Sequence, residues 1–344
     1  MGAILVVNAG STSLKLSLVG EDESTERLES LEAVEAAYLD AVAHRVVHGG
    51  FRFTDPVVID GAVRQAIHEL EALAPLHNAP ALRGIEQAMG VHPDAPHVAV
   101  FDTAFHATLP PEAATYAVPD AWREEWGIRR FGFHGISVEW AAEQVPVRRL
   151  VVCHLGGGCS VTAVLDGRSV DTTMGFTPLE GVPMSTRSGS VDPGALLYLL
   201  RETPLDARAL DHALNSDSGL VGLSGSGDMS ELEMRVEQGD PAAELAVDVF
   251  AYRVAAAIAR MAVATGGLDA LVFTAGIGEH SPFSRARVCA RLGFMGVELE
   301  DDANRAARPD AKLSPPGSAV QVWAIHARED LIAARAARGL LARA

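Results

Sequence analysis

Residues Ile4 to Val7 form an apolar, largely β-branched run, the segment Asn8-Ala9-Gly10-Ser11-Thr12-Ser13 follows, and Leu14 to Val19 then alternates apolar with polar. That pattern reads as strand, tight turn, strand. The same arrangement returns at Leu150: Leu-Val-Val-Cys-His-Leu, then Gly156-Gly157-Gly158-Cys159-Ser160, then Val161 to Asp166. Placing Gly10 on Gly157 sets the two copies about one domain length apart. A repeat on this scale points to a duplicated architecture, two similar α/β halves that each open on a glycine- or serine-rich hairpin and face each other across a cleft. Two unrelated hairpins would look the same on this feature alone.

Turns of this composition have a chemical use. Consecutive amides can converge on an anion, glycine lets the backbone come close, and serine hydroxyls add donors. Two such turns suit a nucleotide triphosphate. The Walker pattern is absent, and no G-x-G-x-x-G opens a helix after a strand, so the P-loop and Rossmann readings lose their main support. The remaining composition narrows the partners further. With 28 basic against 45 acidic residues the formal net charge is −17, which would repel nucleic acid and anionic membranes. The cysteines Cys153, Cys159 and Cys289 are odd in number and lack C-x-x-C spacing, so neither a disulfide framework nor a zinc site is indicated, and a reducing cytoplasm fits. The N-terminus lacks a basic signal region. The longest apolar stretch, Ala246 to Thr265, is interrupted by Asp248, Arg253 and Arg260, and reads as a buried helix rather than a membrane span.

Periodicity suggests helices over Leu28 to Ala43, Gly61 to Leu73, Val191 to Glu202, Ala242 to Thr265 and Glu329 to Ala342, and strands over His97 to Phe101, Ala270 to Thr274 and Val320 to Ile325. Leu220 to Met229 and Asp302 to Ser318 read as loop-rich. Against this frame several polar residues lack an obvious structural role. Arg45 opens the strand-like run Val46-Val47-His48-Gly49-Gly50. Asp102 follows the strand 97–101, and open α/β sheets place ligands at strand carboxyl ends. His134 lies between glycines and aromatics in Phe131-Gly132-Phe133-His134-Gly135, and Arg187 lies in Pro183-Met184-Ser185-Thr186-Arg187-Ser188-Gly189. Each alone could be an ion-paired arginine, a turn-capping aspartate or a core histidine. Together, two guanidiniums, an imidazole and a carboxylate form a set suited to phosphoryl transfer onto a small anion.

Seven colinear strings carry a resemblance to a known family: NAGSTSLK at Asn8 to Lys15, HRVVHGG at His44 to Gly50, APLHN at Ala74 to Asn78, FDTAFH at Phe101 to His106, FGFHGIS at Phe131 to Ser137, DTTMGFTPLEG at Asp171 to Gly181 and FTAGIGEHS at Phe273 to Ser281. They resemble the acetokinase family of acetate and propionate kinases, in order over nearly the whole chain. The resemblance implies a duplicated two-domain sugar kinase/Hsp70/actin-like α/β fold with a central cleft. It implies a first, acyl- and phosphate-binding domain over 1–106 plus 331–344, and a second domain over 107–330 for nucleotide binding and dimerisation. The implied reaction is reversible, Mg²⁺-dependent transfer from ATP to acetate, giving acetyl phosphate and ADP in the cytoplasm, with Mn²⁺ able to replace Mg²⁺. The partners are then small molecules and a second copy of the chain.

The resemblance also implies residue roles. Arg45 and Arg187 match arginines that hold the carboxylate and the transferring phosphoryl group, His134 a histidine that steadies the transition state, and Asp102 the acidic residue beside it. A carboxylate acceptor is already ionised at neutral pH, so Asp102 is better read as orienting an arginine or a metal-bound water than as a general base. Glu329, with Asn8, matches the metal-organising positions. Asn8, Ser11, Ser13 and Lys15 match the first phosphate hairpin, and His154 with Gly156, Gly157 and Gly158 the second. Asp228, Gly276, Ile277 and Gly278 match the nucleotide pocket, while Val47, Leu76, Phe133 and Pro178 match the apolar pocket for the acyl methyl. The chain departs from the family at Gly157 and Arg328, where asparagine is usual, at His280, and in the string Gly227-Asp228-Met229-Ser230. The stretch from Gly20 to Arg45 is also shortened. Two alternatives therefore stand beside acetate phosphorylation: a propionate or other short-chain acyl kinase, and a non-catalytic nucleotide-binding regulator on the same fold.

Overall fold

The structure is a computed structural model that describes residues 2–9, 14–72 and 75–343, without the side chains at 36, 72 and 75–77. The turn Gly10 to Ser13 lies outside the described residues. The chain forms two compact units: 1–107 with 131–140 and 328–344, and 108–130 with 141–327. The segment 131–140 and residues 328–330 thus group with the first unit, beyond the boundary read from the sequence.

The first unit is built on a six-stranded sheet of β1 (Ala3–Ala9), β2 (Leu14–Val19), β3 (Thr25–Leu28), β4 (Leu39–Val46), β5 (Val57–Val58) and β6 (His97–Phe101), ordered β3-β2-β1-β4-β6-β5. β1 pairs antiparallel with β2 and parallel with β4, β4 is parallel to β6, and β5 returns antiparallel along β6. The second unit has β7 (Arg149–Leu155), β8 (Cys159–Leu165), β9 (Arg168–Thr172), β10 (Ala270–Thr274), β11 (Ala311–Lys312) and β12 (Gln321–Ala324), ordered β11-β12-β10-β7-β8-β9. Read from β9, every neighbour and every strand direction repeats the first sheet. Coincidence between two hairpins would not reproduce four further strands, so the duplication read from the hairpins is a property of the whole sheet. Strand register makes Asn8, facing Lys15 and Arg45, the counterpart of His154, facing Ser160 and Thr274.

The connection from β3 to β4 departs from the helix expected over 28–43. It holds two 3₁₀ turns, Leu31–Ala33 and Ala36–Tyr38, before β4 begins at Leu39. The sequence Leu39-Asp-Ala-Val-Ala-His-Arg-Val is buried between β1 and β6, and ladder bonds on both sides outweigh its modest helix propensity. Arg45 accordingly stands at the carboxyl end of a strand and not at its start. In the second unit the matching connection carries the helix Pro241–Thr265, capped by Asp240 at its start and by left-handed Gly266 at its end, packed on β8 and β7. The two stretches expected to be loop-rich contain the short helices Gly219–Ser224 and Asp301–Ala306.

Alternation of side chains places Leu5, Val7, Val42, Val46, Ala99 and Phe101 on one face of the first sheet, where the helix Pro75–Val91 packs Ala81, Ile85 and Ala88 against them. Ile4, Val6, Ala41, Ala43, Val98 and Val100 are buried on the other face, and the helix Glu329–Leu341 packs on β1, β4 and β6 with Ala333, Ala334 and Ala337. Small residues on both partners allow a close approach.

His44 and His97 are sealed against each other in this unit. His97 Nε2 faces the carbonyl of His92 at 3.0 Å and so carries the proton; its Nδ1 accepts from His44 Nε2 at 2.9 Å. A proton added to His44 would sit on a buried Nδ1 with no acceptor among the described residues, and burial, with His97 beside it, holds its pKa down to about 3. Burial likewise lowers His106 to about 4, outweighing its bond to the Phe133 carbonyl. Because both folded values lie below the unfolded one, these residues contribute stability that is present above about pH 6.5 and lost on acidification. The unfolding free energy is expected to fall by about 2 kcal/mol for each of them between pH 7 and pH 5, above the carboxylate range. Urea unfolding followed across that interval tests this; a flat profile would contradict it.

Candidate active site

Asn8 and Arg45 are register partners in β1 and β4, and Asp102 lies two residues beyond Val100, the β6 partner of Arg45. Period-two alternation therefore points all three side chains to one face at the carboxyl end of the sheet. That is the face on which Glu329 opens its helix, and the four groups meet. Arg45 makes a two-pronged contact with Asp102, Nε to Oδ1 at 2.8 Å and Nη2 to Oδ2 at 2.6 Å. Its Nη1 donates to Glu329 Oε2 at 2.6 Å and to Asn8 Oδ1 at 3.4 Å, and Asn8 Nδ2 donates to Glu329 Oε2 at 3.2 Å. Burial disfavours the guanidinium charge, but Asp102 and Glu329 outweigh it and raise the Arg45 pKa, so the cation is permanent. Asp102 is 1% exposed, whereas the Arg45 side chain keeps 16% of its surface accessible at the strand end.

The FGFHG string is fastened to the same strand end. Gly135 N donates to the Asp102 carbonyl at 2.9 Å, and a Cβ at Gly135 would run into that oxygen. His134 adopts φ +61, a left-handed conformation that a histidine holds only when its surroundings enforce it. Phe133 is fully buried, its carbonyl bonded by His106. Val47 is positioned from the other side: Asn78 accepts from His48 N and donates to His48 O, each at 3.0 Å, and Gly50 N donates to His48 Nδ1. The His48 ring then meets Phe131 and Phe133 edge-on, with centroids 4.6 and 5.4 Å away. Lys15 is exposed opposite Asn8 in the hairpin. Ser11 and Ser13 lie outside the described residues, as does the Leu76 side chain. Arg328 is exposed, with its guanidinium 5.9 Å from the Trp140 ring centroid, so the cation beside Glu329 has an aromatic partner.

In the second unit, the hairpin Gly156-Gly157-Gly158 closes with Gly156 N donating to Gly158 O at 3.0 Å. His154 is buried one residue before the end of β7. A Cβ on Gly156 would lie 3.5 Å from Ala275 Cβ, so this hairpin borders the turn that carries Gly276, Ile277 and Gly278. That turn is held by Glu279, whose Oε1 accepts from Ala275 N and Ala327 N. Gly157 O accepts from Ser185 N at 3.3 Å, and Gly227 stands against Ser185 closely enough that a Cβ would be 3.0 Å from its carbonyl. Asp228 caps the helix Met229–Glu237 through Ser230 N. Space around a Cβ at Gly157 is open, so the usual asparagine would fit there. Arg187, two residues beyond Ser185, donates to Pro178 O at 3.3 Å and lies 3.9 Å from Met184 Sδ, and burial lowers its pKa.

Each unit thus gathers expected residues from distant parts of the chain: Asn8, Arg45, Asp102, His134 and Glu329 with Val47 and Phe133 in one, and His154, the 156–158 turn, the 276–278 turn, Asp228, Pro178 and Arg187 in the other. Asn78, His48 and His106 lie inside the strings APLHN, HRVVHGG and FDTAFH, but the resemblance gives them no role. Their contribution is to hold neighbouring backbone, which spacing does not reveal.

Comparison with known proteins agrees with this arrangement. The sequence profile of the Acetokinase family matches residues 28–335. An acetate kinase of Nostoc punctiforme is 48% identical over 301 residues, covering 85% of this chain and 74% of that protein. Among solved structures, a propionate kinase from Francisella tularensis superposes with a TM-score of 0.90 at 34% identity, covering 98% of this chain and 99% of its own. The Porphyromonas gingivalis acetate kinase gives 0.88 at 32%, covering 99% and 100%. With a profile spanning most of the sequence and a shared fold over nearly all of it, the chain belongs to the acetokinase family.

Proposed function

We propose that this protein transfers the terminal phosphoryl group of ATP to acetate, forming acetyl phosphate and ADP, and runs the reverse reaction with the same residues. The observation that carries this reading is the Arg45 knot: a permanent cation fixed on three sides by Asp102, Glu329 and Asn8, with an accessible edge at the end of a sheet. In-line transfer needs little covalent assistance, so placement and charge neutralisation supply most of the rate. In this reading Arg45 holds the acid's carboxylate, with Asp102 orienting it. Arg187 takes charge on the transferring group and His134 adds a hydrogen bond. Val47, Leu76, Phe133 and Pro178 are the apolar residues assigned to the methyl. Asn8, Ser11, Ser13 and Lys15, with His154 and Gly156 to Gly158, bind phosphates, and Asp228 with Gly276 to Gly278 binds the nucleoside. The first unit serves acid and phosphate, the second nucleotide and dimerisation.

The Asn8 and Glu329 oxygens fit Mg²⁺, which takes one or two protein oxygens and fills its remaining positions with water and phosphate. Among the described residues no cluster of three His, Cys, Asp or Glu side chains forms a separate metal cage. When bound, Mg²⁺, or Mn²⁺ in its place, supplies charge neutralisation on the phosphate oxygens.

Trapping the product as a hydroxamate tests the proposal. Signal is expected with ATP and acetate, and its absence with every nucleotide, pyrophosphate and short-chain acid would refute it, favouring a binding role instead. Propionate is the near rival. One methylene in an apolar pocket is worth only about 1–3 kcal/mol, so kcat/KM for the two acids has to decide.

We also propose a homodimer formed through the second unit. The helix Pro193–Glu202 contains no buried residue, and Leu197, Tyr198 and Leu200 on it are exposed, as is Val191 before it. Sedimentation is expected to give twice the chain mass for the wild type and the single-chain mass for a Leu197→Asp/Tyr198→Asp variant. A monomeric wild type would overturn this. No helix among the described residues is long and apolar enough to cross a membrane.

A further inference from the structure

Pro178 and Arg187 share a loop whose shape is held by three side chains outside any role proposed above. Arg130, 5% exposed, donates from Nη1 to the carbonyls of Thr173 and Met174, each at 3.0 Å, and from Nη2 to Glu180 Oε1 at 2.8 Å. The Tyr116 hydroxyl donates to Glu180 Oε2 and accepts from Phe176 N at 3.1 Å, while its ring lies 5.4 Å from the Arg130 guanidinium. A Cβ at Gly175 would collide with both the Tyr116 hydroxyl and the Glu180 carboxylate. Glycine is therefore what lets the two meet under the turn.

The consequence is that the start of the segment 173–180 is held by Arg130, its middle amide by Tyr116, and its end, Glu180, by both. Between those fastenings Leu179 N donates to Thr177 Oγ1 at 3.3 Å, and Pro178 has no N–H to give. Yet the Pro178 carbonyl is an acceptor for the Arg187 guanidinium. A displacement of Pro178 is thus passed directly to Arg187, and the apolar contact offered to the acyl group moves with it.

We propose that Tyr116 and Glu180 are positioning residues for phosphoryl transfer, setting where Pro178 and Arg187 stand without touching substrate. This rests on the acyl-kinase reading above. Arg130 supports the same knot from below, stacking on the tyrosine and neutralising the glutamate. Loss of the hydroxyl would free the Phe176 amide and one carboxylate oxygen at once, and the loop would settle into several arrangements rather than one.

Tyr116→Phe tests this most directly, because it keeps the ring on Arg130 and removes only the hydroxyl. A misplacement of about 1 Å can cost on the order of 100-fold in rate, so kcat is expected to fall about 10- to 100-fold and KM for the acid to rise, with KM for ATP unchanged. The ratio of kcat/KM for propionate over acetate should shift as well, since Pro178 moves. Glu180→Gln, which keeps shape but not charge, should change the same constants in the same direction and serves if the tyrosine variant does not fold. Thr162→Val is the control: it removes a buried hydroxyl pair with Thr172 in the same unit, 2.8 Å apart, and should lower Tm while leaving the kinetic constants at wild-type values. Wild-type kcat and acid KM in both Tyr116→Phe and Glu180→Gln, with a lowered Tm like that of the control, would overturn the proposal. A wild-type enzyme that makes no acyl phosphate would instead overturn the reading on which it rests.

Discussion

Replacing Arg45 by alanine is expected to lower kcat by about three orders of magnitude or more and to destabilise the fold by about 3–5 kcal/mol. Both effects follow from the same geometry. Asp102 is a buried carboxylate whose two oxygens are each met by an Arg45 nitrogen, and Glu329 shares the third nitrogen. Removing the cation takes both of those bonds from a buried carboxylate and leaves two carboxylates without the charge between them. Urea unfolding and steady-state rates on the same preparation separate the two losses. Arg45→Lys sharpens the test, because a point charge restores part of the stability but cannot reproduce the fork, and the rate should stay low. An alanine variant within tenfold of the wild-type rate would remove Arg45 from the site.

Arg187→Ala should lower kcat by about 10³-fold while costing less stability than Arg45→Ala. Arg187 reaches Pro178 O at 3.3 Å and Met184 Sδ at 3.9 Å, longer contacts than those that bind Arg45 to its carboxylates. Burial that lowers its pKa also means that its charge is weakly screened, which strengthens its action on an oxyanion. Rates for the forward and reverse reactions should fall together, since both pass through one transition state. A variant with normal kcat and a raised acid KM would show that Arg187 binds ground-state substrate and does not stabilise the transfer.

The strands next to the hairpins and the ends of the helices were legible because their signals are local. The glycine turn at Gly156 to Gly158, the alternating run Leu14 to Val19, and Asp240 before Pro241 with Gly266 after Thr265 all act within a few residues of the structure they specify. The residues 39–46 were not legible in this way. Their composition is compatible with a helix, and only the ladders to β1 and β6 make them a strand. That error also misplaced Arg45, whose value to the site depends on standing at the far end of β4. Arg328 beside Glu329 illustrates the same limit: the sequence places a cation next to a carboxylate, while the Trp140 ring near it comes from the distant helix Gly135–Gln144.

By itself the sequence determined the duplicated strand pattern, the glycine positions that permit close backbone approach, and the identity of most groups with chemical capacity, because these depend on residue type and short spacing. Tertiary structure decided which of those groups act together. Arg45 is 57 residues from Asp102 and 284 from Glu329, and no local rule relates such positions. They meet because parallel pairing brings β1, β4 and β6 into register, alternation turns their side chains to one face, and a helix from the opposite end of the chain buries its alanines there with Glu329 at its first turn.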